Sequence, residues 1–209
     1  MRLGVDFDNT LVCYDGVFHA AAVERGLIPA AESPLTKEQL RDRLRAENRE
    51  DDWTRLQGFV YGPAMVQAKP FPGALEFLRA CRERSIPICV ISHRTAKPFL
   101  GPAYDLLASA QEWLALNGFF EKAGLPHEHA HFELTKQAKL DRIRAEGCTH
   151  FIDDLPELLG ETAFPSGVEK ILFDPNRSHA ADPRWHRAES WHEVAIRFQP
   201  APSINLTEE

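Results

Sequence analysis

The chain has 209 residues, 44% hydrophobic and 26% charged, with 31 acidic against 24 basic side chains and a net charge of −7. That length suits one domain, or one with a modest insertion, and its core needs no disulfide or metal staple. The composition excludes a mostly disordered chain, and the acidic balance argues against a nucleic-acid backbone or an anionic membrane surface as the main partner.

The opening residues, MRLGVDFDNT, carry two Asp where a secretory leader would carry its apolar core. No apolar run approaches the ~20 residues of a membrane span. Cys13, Cys81, Cys89 and Cys148 are irregularly spaced and form no CxxC pair, so neither a zinc ribbon nor a thioredoxin-like site is expected. Reduced thiols and a cytoplasmic location are the expectation.

In chain order, Leu3 to Phe7 is a short apolar run that stops at polar residues, as a buried strand does. Helical patterns follow from Gly16 to about Leu27, over 36–49, and from Asp51 to about Phe59. Thr36 suits the N-cap of the second of these, with Gln39 completing a capping box. Gly62, Pro63, Pro70, Pro72 and Gly73 then mark a boundary.

After that boundary helices and strands alternate. Residues 73–84 form an amphipathic helix with Leu75, Leu78 and Cys81 on one face, and Ile86 to Ile91 is a continuous apolar run of the kind buried in parallel sheets. Helices are expected over 103–116, 136–146 and 190–198, and strands over His129 to Phe132, Thr149 to Ile152 and Lys170 to Phe173. This order predicts a three-layer α/β/α sandwich around a mostly parallel sheet. The expected core is 1–11 with 70–199, interrupted by an inserted helical cap over 12–69 and followed by a tail over 200–209.

In open α/β sheets, chemistry gathers beyond the carboxyl ends of the strands. Asp6 and Asp8 alternate along an extended segment, so both point one way while Phe7 points into the packing. Asp153 and Asp154 end a later strand, and Ser92 ends the strand between them. Carboxylates crowded on one side repel, and a divalent cation relieves that repulsion; oxygen-only ligands favour Mg²⁺. Taken singly, each feature also suits a turn, a cap or a strand terminator, and the argument rests on their order.

That order resembles the haloacid dehalogenase-like hydrolase superfamily. Asp6-Phe-Asp-Asn-Thr-Leu11 is similar to its first motif, Val90-Ile-Ser92 to its second, Lys136 in KQAKLDRI to its third and Phe151-Ile-Asp-Asp154 to its fourth. Asn9 stands where Gly is commoner, and the fourth motif has the adjacent DD form. The resemblance covers about residue 3 to residue 174 and implies a Rossmann-like core with a small cap. It implies Asp6 as nucleophile forming an aspartyl phosphate and Asp8 as general acid and then general base. It further implies Thr10, Ser92 and Lys136 on the phosphoryl oxygens, and Mg²⁺ held by Asp6, the Asp8 main-chain carbonyl, Asp153 and Asp154. Asp153 and Asp154 both stay open as the direct ligand.

Lys139 is the alternative to Lys136. Thr135 suits an N-cap, which puts Lys136 in the first helical turn, where free N–H groups favour an anion. Arg94, two residues beyond Ser92, is a candidate substrate contact. His127, His129 and His131 alternate and would share one face of a strand, as a metal site or as a half-exposed edge. Arg41, Arg43, Arg45 and Arg49 suit either a substrate-facing basic surface or a solvated helix. Trp185 and Trp191 suit packing.

The expected activity is Mg²⁺-dependent hydrolysis of a small phosphorylated metabolite. Alternatives are a phosphosugar mutase or another phosphotransferase of the same superfamily, and a phosphate-binding regulatory protein. Asp8 argues against haloacid dehalogenation, which has no use for a second Asp. A response-regulator receiver would carry its phosphorylated Asp on a later strand. Nucleic acid and membrane are not expected as partners, and the oligomeric state is not legible.

Overall fold

The computed structural model describes residues 1–198; the expected tail over 200–209 lies outside the described residues. Six strands form the main sheet: β1 (Leu3–Val5), β4 (Ile88–His93), β5 (Ala130–Glu133), β6 (His150–Asp153), β7 (Glu169–Phe173) and β8 (His186–Ala188). Their order is β5-β4-β1-β6-β7-β8, and every neighbouring pair is parallel. The expected three-layer α/β/α architecture is present, with β1 in the middle and fully buried.

Between β1 and β4 the chain leaves the sheet. It passes through β2 (Val12–Cys13), α1 (Val17–Glu24), α2 (Lys37–Ala46), α3 (Glu50–Val60), a short 3-10 helix at Pro63–Gln67 and β3 (Lys69–Pro70). β2 and β3 pair antiparallel, closing the excursion with a two-stranded ribbon that the sequence pattern did not reveal. Thr36 accepts the Gln39 N–H and Gln39 reaches back to the Thr36 N–H, so the capping box forms. The arginines of this unit are spent on neighbouring acids: Arg41 on Asp42, Arg43 on Glu32 and Glu47, Arg45 on Glu50, Arg49 on Asp52. They form a solvated, self-paired surface.

The remaining helices are α4 (Ala74–Glu83), α5 (Leu106–Leu116), α6 (Lys136–Ala145), α7 (Pro156–Leu159) and α8 (Trp191–Arg197). α7 and β8 are only four and three residues long, and neither was expected. Phe7 is fully buried between Trp113 and Phe132 in edge-on contacts, which anchors the segment that carries Asp6 and Asp8. Trp191 packs against Phe77 and Phe173 as a core residue.

The histidine run departs from expectation. His127–His129 is a turn of 3-10 helix, and only His131 lies in β5. His127 stacks on Phe120 with ring centroids 3.7 Å apart and so leaves the other two.

Among the described residues no helix is long and apolar enough to cross a membrane. All four cysteines are unpaired.

Candidate active site

Asp6 lies just past β1, and its N–H still donates to the Ile152 carbonyl at 2.8 Å, as a continuing strand would. β4 and β6 flank β1, so the polar residues ending these three strands meet at one edge of the sheet. Beyond Asp8 the chain turns sharply. Asn9 has φ +55°, and the Leu11 and Val12 N–H groups both fold back onto the Phe7 carbonyl at 3.0 Å. Asn is one of the few non-glycine residues that tolerate this left-handed conformation, which is why it can stand here. Thr10 is buried at the turn; its Oγ1 donates to Asp6 Oδ2 at 3.4 Å, and its carbonyl accepts the Trp191 indole N–H at 3.0 Å.

The lysine facing this cluster is Lys139, which corrects the choice of Lys136. Lys139 Nζ donates to Asp6 Oδ1 at 2.5 Å and to Asp153 Oδ2 at 2.6 Å, and its side chain is 3% exposed. Lys136 is 52% exposed and pairs with Glu161 at the surface. Both belong to α6, capped by Thr135 as expected. Lys139 lies about one turn further along α6 than Lys136 and meets the carboxylates there. Burial alone would discharge Lys139, but Asp153 and Asp6 overcome it and hold the amine above its ordinary range.

Burial raises the Asp6 carboxyl to about 7 against the opposing pull of Lys139, with the Asp153 charge adding to the rise. Asp154 is held well above the usual carboxylate range by burial and by the charges of Asp153 and Asp6. Asp153 is fully buried, and its Oδ1 accepts the Leu155 N–H at 2.9 Å. Asp6, Asp153 and Asp154 bring carboxylate oxygens within 4.8 Å of one another. This crowded, oxygen-only donor set fits a hard divalent cation.

Asp8 has hydrogen-bond partners of its own. Its Oδ1 accepts the Tyr14 hydroxyl at 2.5 Å and the Arg94 Nη2 at 3.1 Å. Arg94 is buried; it also donates to Tyr14 Oη at 3.3 Å and lies over the rings of Phe7 and Tyr61. Ser92, buried two residues earlier on β4, occupies the strand end beside it. From the inserted unit, Lys37 reaches over the rings of Phe18 and Tyr61. Burial disfavours its charge, yet Tyr61, Asp154 and Asp8 together raise its amine above the ordinary value.

No family model matches the sequence, and no curated protein matches it. Solved structures do match over nearly the whole chain. A HAD family hydrolase from Deinococcus radiodurans R1, solved with bound phosphate and sodium, shares 18% identity at a TM-score of 0.55, covering 96% of this chain and 98% of that one. YfnB from Bacillus subtilis, bound to magnesium, shares 11% identity at a TM-score of 0.56 over 94% and 97%. A dehalogenase shares 14% at a TM-score of 0.58 over 96% and 97%. The chain has the haloacid dehalogenase-like fold.

Within this HAD-like fold, the structure brings together Asp6, Thr10, Asp153 and Asp154 as one cluster and Asp8 with Arg94 as a second, and leaves Lys136 outside both. Three further residues lie beside these clusters, and the sequence reading did not place them there. Tyr14 follows Asp8 by six residues, and only the fold-back at Asn9 brings it near. Lys37 carried one signal, its place directly after the Thr36 cap, which ties the start of α2 to a defined position. Tyr61 ends α3 and carried none.

Proposed function

We propose that this chain is a Mg²⁺-dependent phosphatase acting on a small phosphorylated metabolite through an aspartyl phosphate on Asp6. The observation that carries this reading is the pairing of buried Asp6 with Lys139 beside a second, separately held carboxylate, Asp8. A nucleophile and an acid/base two residues apart, with distinct partners, suit a two-step displacement. Asp6, Asp153, Asp154 and the Asp8 carbonyl would hold Mg²⁺, which when bound neutralises the carboxylates and stabilises charge on the transferred phosphoryl.

An Asp6 carboxylate oxygen attacks phosphorus, and the bond to the ester oxygen breaks. Asp8 gives that leaving oxygen a proton. A water then attacks the aspartyl phosphate, Asp8 takes the water's proton, and the P–O bond to Asp6 breaks to release phosphate. Lys139, Thr10 and Ser92 position the phosphoryl oxygens, a mainly electrostatic task. Arg94 and Tyr14 hold Asp8 by its Oδ1, and the buried Arg94 guanidinium meets the substrate anion. Residues 12–69 serve as a cap hinged on the β2–β3 ribbon, excluding water and presenting Lys37, Tyr14 and Tyr61 to the leaving group.

The test is hydrolysis of p-nitrophenyl phosphate with and without Mg²⁺, followed by a panel of phosphorylated metabolites. A 2-haloacid is run alongside, because a dehalogenase shares the fold. Halide release without Mg²⁺ and no phosphate release would overturn the reading.

A further inference from the structure

A second group of metal-binding side chains lies away from the Asp6 cluster. One ring nitrogen each of His129 and His131 and one oxygen of Glu146 sit within 4.8 Å of one another. His131 Nε2 is 3.0 Å from Glu146 Oε1, and His129 Nδ1 is 3.5 Å from Glu146 Oε2. Neither contact has hydrogen-bond geometry, and both ring nitrogens are buried without a hydrogen-bond partner. Two orphaned imidazole nitrogens converging on one carboxylate are an expense that an unliganded surface would avoid by turning the rings outward.

We propose that His129, His131 and Glu146 bind a transition-metal ion of the Zn²⁺ class. Two imidazole nitrogens and one carboxylate form a borderline donor set, distinct from the oxygen-only set at Asp6. Three protein ligands leave a coordination position for water. Arg2 Nη1 holds Glu146 Oε2 at 2.5 Å, leaving Oε1 as the ligating oxygen and fixing the carboxylate's direction. His129 also lines a surface pocket with Arg82, Ser85, Ile88 and Pro126.

The three ligands come from different elements: His129 from the turn before β5, His131 from β5 and Glu146 from the C-terminal cap of α6. β5 is an edge strand. A metal here ties that edge to the end of α6 farthest from Lys139. The site needs nothing from the phosphatase reading.

The experiment uses EDTA-treated full-length protein carrying Asp154→Asn to weaken the acidic cluster, in excess Mg²⁺. Zn²⁺ titration by calorimetry should give one equivalent per chain, and Co²⁺ should give visible absorption bands of nitrogen ligation. His131→Ala and, separately, His129→Ala should each weaken Zn²⁺ binding by on the order of 100-fold and abolish the Co²⁺ bands. Circular dichroism of both metal-free variants checks folding, and His129, the more exposed of the two rings, supplies the milder substitution. Absence of Zn²⁺ binding, or unchanged affinity in either folded variant, overturns the proposal.

Discussion

Lys139 Nζ lies 2.5 Å from Asp6 Oδ1, joining residues 133 apart in the chain inside the core. The same amine reaches Asp153, so one cation holds two strand ends together. Removing it leaves two buried carboxylates facing each other. Lys139→Ala is therefore expected to lower kcat by on the order of 10²–10³ and to destabilise the fold. Lys136→Ala should keep near wild-type kcat. Side-by-side kinetics at saturating Mg²⁺, with thermal melts, check both.

Asp6→Asn should abolish turnover while keeping the fold, since the amide fills the same space. Wild-type protein given a phosphorylated substrate and quenched in acid should carry phosphate on Asp6, detected by mass spectrometry. Near wild-type hydrolysis by Asp6→Asn would remove Asp6 as nucleophile.

Arg94 and Lys37 are expected to act on substrate affinity. Each charged hydrogen bond is worth ~1.5–3 kcal/mol, so Arg94→Ala should raise KM about tenfold or more while lowering kcat less. Lys37→Ala should do the same, and Lys69→Ala, an exposed residue of β3, should change neither constant. Steady-state kinetics on the natural substrate decide this.

Trp191 holds the first motif from the far end of the described chain, through its indole N–H to the buried Thr10 carbonyl. Trp191→Phe keeps the ring packing but leaves that carbonyl unpaired. A loss of about 1–3 kcal/mol in chemical denaturation is expected. A stability equal to wild type would show that water replaces the indole.

Gly4→Ala probes the packing under β1. An added Cβ would come 2.5 Å from the Phe151 ring and 2.9 Å from Cys148 Sγ. Both neighbours are buried, so overpacking of about 1–3 kcal/mol is expected in the same denaturation assay.

What the sequence by itself determined follows from local physics. Period-two and continuous apolar runs marked β1, β4, β6 and β7, helical periodicity and the Thr36 and Thr135 caps marked α2 and α6, and the strand-end carboxylates were legible from their order. Very short elements, such as β2, β3, α7 and β8, gave no such signal, because two to four residues carry no periodicity and their pairing is decided by neighbours. The lysine choice shows the limit most clearly. On a helical wheel Lys136 falls between Leu140 and Ile143 on the buried face, about 60° from Lys139. The first-turn place after the Thr135 cap favoured Lys136, yet Lys139 is the one that meets Asp6 and Asp153. Position along the axis, about 4.5 Å over three residues, settled it, and that depends on how α6 is set against the sheet edge. Glu146 is the same case: the sequence shows two histidines but not the carboxylate between them. It meets them only because α6 packs beside β5, a tertiary contact with no local trace.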